Sequence, residues 1–105
     1  GKWKCISTNN KLQDDKAYSI TLVTGITNAQ PLVSHLQKAG HSICHLEYAD
    51  HHKYTTKDID NILAKYNTDK STKKLILTTE KDATKLREFK KQFGRSCVVI
   101  DKVSE

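Results

Sequence analysis

The sequence predicts an α/β fold, with a mostly parallel sheet of about four to five strands and helices packed on it. Three observations predict it. Short β-branched and apolar runs recur at Ser19 to Thr24, His41 to Tyr48, Lys74 to Thr78 and Cys97 to Ile100. Between each run and the next lies one segment whose apolar residues repeat at helical spacing. The connections are short, so the order reads β-α-β-α-β-α-β, which right-handed crossovers turn into a parallel sheet.

Taken in order, residues 1–16 read as a linker or irregular segment, and the folded domain is expected over 17–105. Within the first stretch Trp3 and Ile6 can join a short strand, while Asn9-Asn10 and Asp14-Asp15 read as turns. Ser19 to Thr24 (S-I-T-L-V-T) is the buried-strand pattern. It leads through Gly25-Ile26-Thr27-Asn28 into a helix with Asn28 as N-cap and Pro31 in the first turn. Leu32, Val33 and Leu36 give that helix a buried face, and Gly40 stands where a terminating glycine belongs. The strand from His41 to Tyr48 follows, with Ile43 and Leu46 its main apolar residues.

Thr55 or Thr56 caps the next helix, where Ile59, Ile62, Leu63 and Tyr66 share one face. After the strand Lys74 to Thr78, Thr79 caps a helix with Glu80 and Asp82 in its first turn, where carboxylates suit the positive end of the dipole. Leu86, Phe89 and Phe93 supply its apolar side before the strand Cys97 to Ile100. The whole describes a three-layer, Rossmann-like domain. In such sheets ligands approach the carboxyl ends of the strands. The loops Gly25 to Asn28, Ala49 to Tyr54 and Thr79 to Asp82 are therefore expected at one edge.

The bulk numbers narrow the function classes. The 105 residues suffice for one domain with a modest core. A hydrophobic share of 36% and a mean hydropathy of −0.65 are polar, but the apolar residues come in periodic groups, as in a folded domain. The formal charge of +6 favours acidic partners. The lysines, however, are scattered over helix faces and turns without interleaved aromatics, so solvated faces explain them and no nucleic-acid partner is expected. Cys5, Cys44 and Cys97 form no C-x-x-C pair and read as reduced, partly buried thiols of a cytosolic protein. No stretch approaches the roughly 20 apolar residues needed to span a bilayer, and no secretory signal is seen.

The sharpest local feature is Asp50-His51-His52. A carboxylate beside imidazoles can position a base, stabilise an imidazolium or bind a metal, whereas the plainer reading is a polar surface loop. His41 and His45 fall on a strand two side-chain repeats apart, too far to share an ion, so no metal site is expected. D-H-H also names a phosphoesterase motif, but those enzymes need an aspartate on the first strand, and S-I-T-L-V-T-G has none. Thr78 to Asp82 (T-T-E-K-D) offers either an anion-binding helix start strengthened by Lys81 or simply a well-capped helix. Gly25 to Asn28 resembles a phosphate turn only loosely, and the sequence contains no Walker A lysine motif.

Three segments in register resemble the lipid A 4'-kinase (tetraacyldisaccharide 4'-kinase) family. They are V-T-G-I-T-N-A-Q-P-L at Val23 to Leu32, Y-A-D-H-H-K-Y-T at Tyr48 to Thr55, and L-T-T-E-K-D-A at Leu77 to Ala83. The resemblance implies transfer of the ATP γ-phosphate to the 4'-hydroxyl of a tetraacylated glucosamine disaccharide 1-phosphate, with Mg²⁺, at the cytoplasmic face of the bacterial inner membrane. It implies that ATP and Mg²⁺ are bound mainly by a larger N-terminal P-loop domain. The present sequence would be the smaller C-terminal domain that closes over the cleft, soluble and inactive alone. Its partners would then be that P-loop domain, the glycolipid and, through the parent chain, the membrane surface.

Carried onto this sequence, the resemblance makes Asp50 and His51 catalytic, with His51 the partner of an N-terminal catalytic aspartate and His52 the rival for that role. Gly25, Asn28, Thr79, Glu80, Lys81 and Asp82 are assigned to the substrate or nucleotide cleft. The sequence departs from the family in lacking the Walker A segment and a membrane-anchoring N-terminal helix. The competing reading is a stand-alone α/β module that binds nucleic acid or phosphorylated ligands.

Overall fold

The computed structural model describes residues 3–6 and 17–101, with only the backbone given for 4–6. Five strands form a single sheet: β1 (Lys4–Ile6), β2 (Ser19–Thr24), β3 (Ser42–Glu47), β4 (Lys74–Thr79) and β5 (Val98–Asp101). Every pairing is parallel, and the strand order is β1-β5-β4-β2-β3. The helices are α1 (Gln30–Lys38), α2 (Thr56–Thr68), α3 (Glu80–Leu86) and α4 (Lys90–Phe93), with a 3-10 turn at Arg87–Phe89 between the last two. The Rossmann-like α/β architecture read from the sequence is the one observed.

Alternation along the central strands divides the interior into two layers. Ile20 and Leu22 of β2 and Leu75 and Leu77 of β4 meet Val33 and Leu36 of α1 on one face. Val23 and Ile76 point the other way, onto Ile59 and Ile62 of α2, Leu86 and Phe93. Both faces of the sheet are covered at β2 and β4, which is why these central strands read as continuous apolar runs. Chain progression also reverses at β2, since β3 lies on one side of it and β4 on the other. The crevice between the carboxyl ends of β2 and β4 is therefore the topological switch point, where ligands of such sheets usually sit.

Several local expectations shift. Asn28 does not cap α1; Ala29 is the N-cap residue and has no side-chain cap bond. Asn28 lies one position earlier, where its side-chain oxygen accepts from Gln30 N at 3.2 Å and turns the chain into the helix. Ala29 is buried, so packing chose the cap position over capping chemistry. Gly40 terminates α1 as expected, with φ of 94° one residue past the C-cap. The helix expected through Leu86, Phe89 and Phe93 is interrupted at the 3-10 turn. Phe89 adopts φ −107° and ψ 20° and stays half-buried, while Leu86 and Phe93 enter the core. Tightening the chain there rotates the second half so that Phe93 faces inward.

Cys44 and Cys97 are exposed, against the expectation of partly buried thiols. Cys44 stands on β3, an edge strand with an uncovered outward side, and Cys97 immediately precedes β5. The Cys5 side chain lies outside the described residues. His41 precedes β3 instead of belonging to it; it is buried, and its Nδ1 accepts from Tyr18 N at 3.0 Å. Burial, helped by His35, pushes its pKa down, which suits an imidazole used as an acceptor.

Candidate functional site

The loops after β2 and β3 meet the direct junction of β4 with α3 at the carboxyl edge of the sheet, where Thr79 ends the strand and Glu80 starts the helix, and a single buried carboxylate joins all three. Asp82 has no solvent exposure. Its Oδ2 accepts from Gly25 N at 2.9 Å and from the Thr79 hydroxyl at 2.7 Å, and its Oδ1 accepts from the Tyr54 hydroxyl at 3.2 Å. The Thr79 oxygen in turn accepts from Asp82 N at 3.1 Å and caps α3. One side chain thus receives a bond from the loop after β2, from the loop after β3 and from the last residue of β4.

Gly25 is required by the closeness of this knot. A Cβ there would lie 3.0 Å from Asp82 Oδ1, 3.2 Å from Ala49 O and 3.3 Å from Tyr54 Oη. Burial, reinforced by the Asp82 charge, drives the Tyr54 phenol far above its usual pKa, so it remains a donor. The bond between Asp82 and Gly25 crosses the switch-point crevice. The amide that would face a phosphate there is already committed, and a carboxylate stands beside it. These residues do not fit a nucleotide phosphate, and among the described residues no group of three or more His, Cys, Asp or Glu side chains is arranged to hold a metal ion.

The accessible chemistry lies further out, on the loop between β3 and α2. Asp50 is fastened to the first turn of α3 and to the loop after β2: Lys81 Nζ donates to Oδ1 at 2.9 Å and the Thr27 hydroxyl to Oδ2 at 3.2 Å. The Lys81 bond is the main reason its carboxyl sits below the usual range. His51 Nε2 approaches Asp50 Oδ2 at 3.5 Å, and the His51 side chain is 78% exposed. Its φ of 66° puts it in the left-handed region, which non-glycine residues rarely occupy.

His52 is the opposite case. Its Nε2 lies 2.8 Å from Asp58 Oδ2, and its ring stacks on Tyr48 at 4.7 Å and meets Tyr54 edge-on at 4.9 Å. Burial raises the Asp58 carboxyl, but the bonds from His52 and Thr55 outweigh it and hold the pKa below the usual value. Beside the loop, His51, His52, Lys53, Tyr54, Lys85, Glu88 and Phe89 line an open cleft of about 210 Å³.

The structure thus brings Asp50, His51 and Lys81 together on the outer rim, and Gly25, Thr79 and Asp82 in the buried knot below. Asn28 and Glu80 are exposed, and Asn28 spends its side chain on its own turn. Sequence reasoning missed Thr27, Tyr54, Asp58 and Lys85 as members of the site. Two of them had a signal. Thr55 and Asp58 have the three-residue spacing of a reciprocal helix cap, and Lys85 follows Lys81 by one helical turn.

The site is thus a carboxylate–imidazole loop at the carboxyl edge of an open parallel α/β sheet, above a switch point closed by the bond between Gly25 and Asp82. Comparison with known proteins gives the family. The profile of the tetraacyldisaccharide-1-P 4'-kinases matches residues 2–103, and the chain belongs to that family. It is 42% identical over 67 residues to a tetraacyldisaccharide 4'-kinase of Bacteroides thetaiotaomicron, covering 64% of this chain and 18% of the relative. A tetraacyldisaccharide 4'-kinase of Parabacteroides distasonis is 38% identical over 70 residues, covering 67% of this chain and 19% of its own length. One from Francisella philomiragia is 32% identical over 93 residues, 86% of this chain and 26% of the relative. The chain therefore spans about a fifth to a quarter of the length of these relatives. No solved structure matches. Among the described residues no helix is long and apolar enough to cross a membrane.

Proposed function

We propose that this chain is the C-terminal domain of a lipid A 4'-kinase, in which residues 17–105 form most of the folded unit and Lys4–Ile6 of the leading segment add an edge strand to its sheet. The parent transfers the ATP γ-phosphate to the 4'-hydroxyl of tetraacyldisaccharide 1-phosphate at the cytoplasmic face of the bacterial inner membrane. The observation that carries this reading is a family match over residues 2–103 in a chain whose matched part covers only about a fifth to a quarter of its relatives' length. A larger N-terminal P-loop domain binds ATP and Mg²⁺, and the charge stabilisation of phosphoryl transfer is supplied there.

The present domain contributes the outer rim of the cleft. His51 is the residue of the D-H-H loop with an accessible imidazole, since the His52 Nε2 is already paired with Asp58. Facing the N-terminal domain, His51 orients the carboxylate that takes the proton of the sugar hydroxyl. Asp50, held by Lys81 and Thr27, fixes the loop from below. Gly25, Thr79 and Asp82 shape the cleft floor through their mutual bonds, and Lys81, Glu80 and Asn28 stand along its rim. Alone, the domain has no catalytic activity.

Phosphate transfer from labelled ATP to tetraacyldisaccharide 1-phosphate tests the proposal. The full-length kinase is expected to form product, and this chain alone none. Turnover by the chain alone, or undiminished turnover by a kinase from which this segment has been deleted, would overturn it.

A further inference from the structure

His52 carries more constraints than any other residue of its loop, and they all fall on the immediate neighbour of the strained His51. On the ring side, Nε2 pairs with Asp58 Oδ2 at 2.8 Å while Tyr48 covers one face, with an interplanar angle of 25°. Tyr54 packs its edge against the same ring at 87°. On the backbone side, His52 N donates to Ala49 O at 3.0 Å, and Lys85 Nζ donates to His52 O at 3.0 Å. Asp58 also builds the first turn of α2. Its Oδ2 accepts from Thr55 N at 3.0 Å, and its own N–H donates to Thr55 Oγ1 at 3.2 Å. The same carboxylate oxygen thus serves a helix cap and an imidazole.

Resting on the reading of His51 given above, we propose that Asp58 is a positioning residue for phosphoryl transfer. Acting through His52, it ties the D-H-H loop to the first turn of α2 and holds the His51 imidazole outward in its left-handed conformation. A left-handed non-glycine residue persists only where its surroundings over-determine it, and the His52 contacts provide that determination. Without the pair, His51 relaxes to ordinary backbone angles and its ring swings away from the partner domain.

The test is steady-state kinetics of the full-length kinase with a set of point variants. Asp58→Asn keeps the size of the side chain and an acceptor for Thr55 N, but removes the negative charge that pairs with His52 and leaves only a neutral, weaker bond to the ring. It is expected to lower kcat about tenfold with KM for the glycolipid unchanged, as a misplaced catalytic group does. His52→Asn breaks the pair from the other end, leaves Asp58 capping α2, and is expected to show the same loss. Thr55→Ala loosens the same helix cap without touching His52, so it should lower Tm and leave kcat alone.

A wild-type kcat for Asp58→Asn or His52→Asn, in a kinase that His51→Ala cripples, overturns the positioning role. Equal kcat losses in Asp58→Asn and Thr55→Ala assign the effect to the helix cap and overturn it too. Undiminished turnover in His51→Ala instead removes the reading of His51 on which the proposal rests.

Discussion

Replacing Asp82 should be the most damaging single change at the edge of the sheet, and its size can be worked from the bonds it receives. Asp82→Ala removes the acceptor of Gly25 N, the Thr79 hydroxyl and the Tyr54 hydroxyl, all in a buried setting. A buried donor left without an acceptor costs about 1–3 kcal/mol, so the three together cost roughly 3–9 kcal/mol. Part of this is offset, because a carboxylate need no longer be desolvated, and a net loss of about 3–5 kcal/mol is expected.

Asp82→Asn is a sharper control. With its amide nitrogen turned toward Tyr54, whose oxygen can accept, the remaining carbonyl still receives Gly25 N and Thr79. That variant should lose about 1–3 kcal/mol, because two of the three donors keep an acceptor and only the Tyr54 hydroxyl proton loses its own. Urea unfolding of the chain followed by circular dichroism reads both. With a slope of about 1–3 kcal/mol/M, Asp82→Ala should lower the midpoint by at least about 1 M. A midpoint for Asp82→Ala within about 0.3 M of wild type would refute the assignment of Asp82 as the knot of the three segments. So would equal damage from the two substitutions.

Other outcomes follow from the same geometry. On the proposed role of His51, His51→Ala in the full-length kinase should cut kcat by about 100-fold or more with an unchanged circular dichroism spectrum, the usual cost of removing a group that assists proton transfer. Gly25→Ala sets a methyl 3.0 Å from Asp82 Oδ1 and 3.2 Å from the Ala49 carbonyl, where backbone cannot yield cheaply. It should cost about 1–3 kcal/mol, read as a lower Tm in a thermal melt. The Asp58 carboxyl is held below its ordinary 3.8, so the stability it contributes is present above that pH and lost as pH falls through the lower folded value. Acid titration of the folded signal should therefore show a shallower limb for Asp58→Asn than for wild type, and identical limbs would contradict the depressed pKa.

The fold was legible because its signals are local and periodic. Ser19–Thr24 and Lys74–Thr79 are apolar runs whose alternate residues meet helices on both faces, and no other arrangement buries both sets. Thr79 announces its helix and caps as read, and of the two candidates Thr55 and Thr56 the structure takes Thr55, because a hydroxyl at that position satisfies an otherwise orphaned amide. Gly40 marks a helix end by the same kind of local necessity. The break at Arg87–Phe89 was not legible. It contains neither proline nor glycine, and it is decided by which phenylalanine the core can accept.

At the site the division is sharper. The sequence alone determined that a carboxylate and two imidazoles stand on the loop after the second regular strand, and that this loop shares an edge with Gly25 and with the Thr79–Asp82 turn. Side-chain chemistry and strand order suffice for that much. Only the tertiary structure decided that Asp82 faces inward as a shared acceptor, and that His51 is exposed while its neighbour is pinned by Asp58. Adjacent residues have identical local signals, so their fates separate only when distant segments arrive. Tyr48, Tyr54 and Asp58 surround one ring, Lys85 holds the same residue's carbonyl, and the other ring is left to solvent; contacts of that kind depend on how the segments pack rather than on what each contains.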